Sequence, residues 1–140
     1  MTKNKKGKGF SHRKQSPFVS LDIGLIKSPI FRSLKPCSKS VLLELMAQYN
    51  GHNNGNLCAP KAYANKWQIS ATTLYKAIRE LEEKQLIIKT RRGLFANGGV
   101  SCALYAISWL PIDYCDGLEL DTSYIKKIYK STHQLKQIEL

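Results

Sequence analysis

The sequence predicts one α+β domain, mainly α-helical, in which three helices and a short extended piece lead into a two-stranded hairpin. Three observations carry this expectation. Leu74, Ala77, Ile78 and Leu81 recur at i, i+3, i+4 and i+7, the mark of an amphipathic helix. A shorter helix-forming stretch stands just before it, across a turn. Two strand-like runs follow, joined by a segment that contains Gly93, Gly98 and Gly99.

In chain order, residues 1–16 are rich in Lys, Gly and Ser and are expected to be a disordered arm without a partner. Phe18 to Leu34 reads as a strand-like or short helical lead-in, broken at Pro29. From Pro36 a helix is expected, with Ser38 as its cap and Val41, Leu42, Leu45, Met46 and Tyr49 on its buried stripe. Asn50-Gly51 offers a left-handed stop. His52 to Gly55 is turn chemistry; Asn53 and Asn54 suit a tight turn better than a phosphate or base contact. Asn56 to Cys58 is a short extended piece.

A second helix fits Lys61 to Trp67 and buries Tyr63, Ala64 and Trp67. Ser70 caps the third helix, which runs to Lys84 or Gln85. The strands are Leu86 to Arg92 and Ser101 to Trp109, and in the second Ala103, Tyr105, Ile107 and Trp109 alternate onto one face. Pro111 closes the element. This order is that of a winged helix-turn-helix with a two-stranded wing hairpin, spanning residues 17–111. Residues 112–140 form a C-terminal extension that begins acidic, with Asp113, Asp116, Glu119 and Asp121. Its second half favours a helix with Tyr124, Ile125, Ile128 and Tyr129 on one side. That stripe can serve as a homodimer contact or fold back on its own domain, and the pattern leaves both open.

A net charge of +12 on 140 residues points to a polyanionic partner, nucleic acid before an anionic membrane surface. Lys or Arg interrupts every apolar run before it could span a bilayer, and no apolar signal core follows the basic N-terminus, so a cytoplasmic protein is expected. Cys37, Cys58, Cys102 and Cys115 are far apart, and with His12, His52 and His133 they assemble no zinc spacing. They read as small apolar fillers in a reducing compartment, and no cofactor is expected. Nor is an enzyme: there is no nucleophile with a nearby base, no paired-carboxylate motif and no phosphate-cradling loop.

The functional expectation rests on the stretch from Tyr63 to Leu81, which fits two short helices at a steep angle. With Leu74, Ala77, Ile78 and Leu81 turned inward, the helical step places Thr72, Lys76, Arg79 and Glu83 opposite them, with Thr73 and Tyr75 on the flanks. Hydroxyls, an amine, a phenol and a guanidinium there can bond base edges and phosphates. Taken alone such a face is more often merely solvated; the turn before it and the hairpin after it favour recognition. Lys89, Arg91 and Arg92 lead into the wing, where they can meet the phosphate backbone or simply blunt a strand edge. In the arm, Lys5, Lys6, Lys8, Arg13 and Lys14 form a run without any acidic residue, suited to phosphate contact.

These segments resemble a family of bacterial and phage winged-helix proteins, many of them on mobile elements. The resemblance lies in Ser28-Pro29-Ile30-Phe31-Arg32-Ser33-Leu34-Lys35-Pro36, in Tyr49-Asn50-Gly51-His52-Asn53-Asn54-Gly55, and in the pattern of Ser70, Thr73, Ala77, Arg79, Glu80 and Leu81. It implies a DNA-binding fold from about Phe18 to Asp113. Such proteins carry glycine in the turn before the recognition helix and again where that helix gives way to the wing; this chain has Gln68 and Gln85 there. If those sites need positive φ, each glutamine costs on the order of 1 kcal/mol. The expected function is binding of double-stranded DNA as a transcriptional regulator of a phage or mobile element. The alternatives are a replication-initiation or replisome-organising DNA binder that recruits a protein partner through its tail, and a winged helix used as a protein-interaction or inhibitor module.

Overall fold

A computed structural model describes residues 16–96 and 99–113 of the chain. The lead-in is helical. Helix α1 (Ile23–Ile26) is capped by Asp22, which accepts the Leu25 N–H at 2.9 Å. Helix α2 (Pro29–Arg32) begins at Ser28, whose buried hydroxyl accepts the Phe31 N–H and donates to the Leu25 carbonyl. Leu25, Ile30 and Leu34 enter the core, while Phe18, Val19, Ile23 and Ile26 stay exposed.

Helix α3 (Pro36–Gln48) starts three residues earlier than a Ser38 cap would dictate, because Pro36 supplies a preset φ at its first position. Ser38 is therefore a buried member of the first turn and not the cap. Val41, Leu42, Leu45 and Met46 are buried as expected, and Tyr49 is half-buried at the C-cap. Tyr49 leaves the helix in extended conformation (φ −71°, ψ 124°), so Gly51, at φ +97°, shapes the following loop instead of stopping the helix.

Helices α4 (Lys61–Lys66) and α5 (Ala71–Glu83) end alike. After α4, the Gln68 N–H bonds to Asn65 O and the Ile69 N–H to Ala64 O; after α5, the Gln85 N–H bonds to Glu82 O and the Leu86 N–H to Leu81 O. Each is a Schellman closure, which requires a left-handed residue just past the cap. Gln68 (φ +58°) and Gln85 (φ +62°) are those residues.

Five short strands follow one plan: β1 (Leu57–Cys58), β2 (Ile87–Arg91), β3 (Leu94–Ala96), β4 (Gly99–Ser101) and β5 (Leu104–Ile107). β1, β5 and β2, in that spatial order, make a three-stranded antiparallel sheet, and β3 pairs with β4 as a separate ladder. The segment expected to be a plain glycine-rich loop thus holds a ladder of its own, with Leu94 opposite Ser101 and Ala96 opposite Gly99. The second long strand starts at Leu104, not at Ser101. The expected alternation holds: Tyr105, Ile107 and Trp109 join the main core and Ala103 packs against it. Leu104 and Ala106, pointing the other way, are buried as well.

The core lies between α3, α5, the lead-in helices and one face of the sheet, built from residues such as Leu25, Leu42, Leu45, Leu81 and Ile107. The loop after α3 is fastened to it. Asn53 donates to Gln48 O at the end of α3, and the Gln48 side-chain amide pairs with both main-chain groups of Cys58 in β1. Asn54 is fully buried; its main chain bonds Asp113 and its side chain gathers the carbonyls of Ile107, Leu110 and Pro111. Neither asparagine is a mere turn former, and these contacts carry the packed unit through Asp113, two residues past the boundary the sequence suggests.

Candidate nucleic-acid interface

The turn between α4 and α5 is short and over-determined. Ser70 accepts the Thr73 N–H at 3.0 Å and donates its own proton to Thr73 Oγ1 at 2.8 Å. Thr73 is thereby drawn into the cap and is half-buried. Ala64, buried on α4, provides the small contact that lets the helices approach, and Leu74, Ala77, Ile78 and Leu81 are all buried. The stripe that the spacing predicts is the one α5 buries.

On the opposite face Thr72, Tyr75 and Lys76 are exposed. Arg79 shares this face but is paired with Glu83 at 3.0 Å, both side chains about two-thirds exposed. An exposed i, i+4 pair is a weak bond that a stronger anion can displace. The first turn of α5 holds no acidic residue, so the partial positive charge of the helix N-terminus stands unopposed beside Thr72.

The acidic residues of α5 are all engaged. Glu83 holds Arg79, and Glu82 reaches Lys89 of β2 at 3.6 Å. Glu80 accepts the Lys35 N–H at 2.8 Å, closing the otherwise uncapped start of α3, and lies 3.9 Å from Lys84. Burial alone would raise the Glu80 carboxyl; hydrogen bonds from the Lys35 N–H and the Ser38 hydroxyl, with the charges of Lys84 and Lys35, outweigh it and hold the group below its ordinary value. Lys84 in turn donates to the carbonyl and hydroxyl of Ser33. Glu80 and Lys84 are therefore struts between α5 and the lead-in.

Of the hairpin cations, Lys89 is half-buried against Glu82, which makes it a fastener between α5 and the sheet. Arg91 sits past an irregularity in the β2–β5 register, where Lys89 faces Tyr105 and Arg91 faces Leu104, leaving Thr90 unpaired. Thr90 turns inward and donates to Gly55 O. A bulge of this kind re-aims the next side chain. Arg91 donates through Nη2 to Cys102 O at 3.0 Å, and its buried Nε meets no acceptor among the described residues. Arg92 is exposed.

The structure thus brings Thr72, Tyr75, Lys76 and Arg79 onto one open face, draws Thr73 into a cap, and ties Lys89 and Arg91 to the sheet. Lys5, Lys6, Lys8, Arg13 and Lys14 lie outside the described residues, as do the Tyr124–Tyr129 stripe and Cys115. Two further cations stand exposed on α4, Lys61 and Lys66, the latter 5.6 Å from the Tyr63 ring centroid, and sequence reasoning did not single them out. They would matter in a helix-turn-helix, whose first helix crosses the phosphate backbone. Cys37 is exposed, not a core filler, because position 37 falls on the outer side of α3 while Ser38 and Val41 face inward. Cys58 and Cys102 are half-buried, and burial holds the Cys58 thiol above its ordinary range. No helix among the described residues is long and apolar enough to cross a membrane.

Comparison with protein-family models, with curated proteins and with solved structures finds no match to this chain.

Proposed function

We propose that the chain is a winged-helix protein that binds double-stranded DNA, acting as a transcriptional regulator of a phage or mobile element. One observation carries the reading: the exposed face of α5 holds Thr72, Tyr75, Lys76 and Arg79, while every acidic residue of that helix is paired with a cation. A helix entering the major groove needs such a face, free of unpaired carboxylates. In this reading α5 is the recognition helix, the β2–β5 hairpin with its distal ladder is the wing, and Lys61, Lys66 and Arg92 meet phosphates, while Arg91 braces the base of the wing through Cys102. The motifs shared with winged-helix proteins of mobile elements support it: the loop from Tyr49 to Gly55 fastens α3 to the sheet that carries the wing.

Fluorescence-anisotropy titration of labelled duplex DNA at several salt concentrations tests the reading. Affinity should fall linearly on a log–log plot, with a slope of roughly one per phosphate contact. Salt-insensitive or absent binding across a library of genomic fragments sinks it.

A further inference from the structure

We infer that Tyr75 is the specificity-determining residue of this interface and that its ring packs on the 5-methyl group of a thymine in the major groove. The inference rests on the DNA-binding reading above. Large apolar side chains lie exposed at Phe18, Val19, Ile23, Ile26, Leu43 and Tyr75, and of these Tyr75 alone belongs to α5. It is 67% exposed, and its hydroxyl makes no hydrogen bond to any described residue.

Its direction follows from the helical step. Tyr75 and Glu82 are seven positions apart and so lie within about 20° of one another around the axis. Glu82 reaches Lys89 of β2, which fixes that flank as the one turned to the sheet and hairpin. The ring therefore stands at the margin of the open face of α5 that borders the strand leading to Arg91 and Arg92, with Thr72 one turn back on the same side.

Chemistry selects what such a ring reads. Guanine is commonly read by a forked guanidinium, which on this face Arg79 supplies, one turn beyond Tyr75 and shared with Glu83; the phenol of Tyr75 has no such fork. Thymine is the base that presents an apolar group in the major groove, beside the O4 acceptor. An exposed phenol offers the complement of both: ring area for the methyl and a hydroxyl proton for the oxygen. Lone exposed aromatic residues are common on protein surfaces. This one is flanked by Thr72 and Lys76, whose side chains make no hydrogen bond or ion pair with any described residue, on the face that has no unpaired acid.

The test is a methyl deletion on the DNA crossed with a ring deletion on the protein. The full chain is used to select a preferred duplex from a random-sequence pool, and each thymine of that duplex is then replaced singly by deoxyuridine. Wild type should lose about fourfold in affinity at one position, the size expected for one buried methyl group. Tyr75→Ala should bind the thymine duplex more weakly and be indifferent to deoxyuridine there, while Tyr75→Phe keeps the sensitivity. Tyr75 is solvent-exposed, so both variants should melt like wild type. Salt-sensitive, sequence-selective binding that ignores every methyl, or a methyl dependence that survives Tyr75→Ala, overturns this inference and leaves the DNA reading standing. Salt-sensitive binding that enriches no duplex overturns this inference alone, and salt-insensitive or absent binding to the pool overturns both.

Discussion

Asn54 and Ile107 are joined by two hydrogen bonds running in opposite directions: the Ile107 N–H donates to Asn54 Oδ1 at 2.7 Å, and Asn54 Nδ2 donates to the Ile107 carbonyl at 3.1 Å. The side-chain amide stands in for a peptide group just beyond the end of β1, since Leu57 faces Tyr105 and the next paired position along β5 is Ile107. A single buried side chain thus prolongs one side of the sheet and also holds the carbonyls of Leu110 and Pro111.

Asn54→Ala strands several buried main-chain groups at once, each worth about 1–3 kcal/mol when unsatisfied. A loss of about 3 kcal/mol or more is expected in urea unfolding. Asn54→Asp should be no better, because a carboxylate would then face three carbonyl oxygens. A loss under 1 kcal/mol for either variant would show that the amide is not what fastens this corner.

Gln68 and Gln85 hold φ of +58° and +62°, a region that costs side-chain-bearing residues about 1–2 kcal/mol and glycine almost nothing. Gln68→Gly and Gln85→Gly are each expected to stabilise the fold by up to about 1 kcal/mol, net of the extra freedom glycine gains when unfolded. The sites are separate, so the double variant should show the sum. Thermal melts read this directly, as a rise of a few degrees per site.

Glu80 is held below its ordinary value of 4.5 by its bonds to the start of α3 and by nearby lysines. A carboxyl lowered in the folded state adds stability above its unfolded value and loses it as pH falls through the folded one. Glu80→Gln should therefore cost about 1 kcal/mol near pH 7, the difference between hydrogen bonds to a charged and to a neutral acceptor. Below about pH 4 the difference should shrink toward zero. A gap between the two proteins that is constant from pH 7 to pH 3 would rule out the charge as its source.

On the DNA-binding reading proposed above, Lys76 and Glu83 separate two contributions to affinity. Lys76→Ala should weaken binding across all sequences and lower the salt slope by about one, with no change in melting temperature. Glu83→Gln frees Arg79 and should strengthen binding several-fold at low salt. Lys89→Ala should act mainly on stability, because that lysine is engaged with Glu82. Salt titrations beside melts of the same variants distinguish these outcomes.

Local and periodic features were legible in the sequence. The inward stripe of α5 follows from a spacing of 3.6, the cap at Ser70 from a serine ahead of it, and the placement of Tyr105, Ile107 and Trp109 from alternation. The strain at Gln68 and Gln85 was legible too, because a helix stop has one conformational demand wherever it occurs. What escaped were contacts across long sequence separations. Asn54 meets Ile107 at a separation of 53, and Glu80 closes α3 at a separation of 45. Asparagine beside glycine reads as a turn whatever else it does, and glutamate on a helix reads as solvated. The ladder of β3 and β4 was masked by the glycines around it, which blur a two-residue period. In the site, residue types could be named, but which cations an internal acid would capture depended on the packing of α5 against β2 and the lead-in.

The amide of Gln48 occupies both main-chain groups of Cys58, the outward-facing residue of the two-residue strand β1. A sheet edge left open is a template on which another chain can add by β-augmentation. Here a glutamine at the end of a helix acts as a terminator of that growth. Replacing it with a side chain that cannot mimic a peptide would leave both main-chain groups of Cys58 open at the sheet edge.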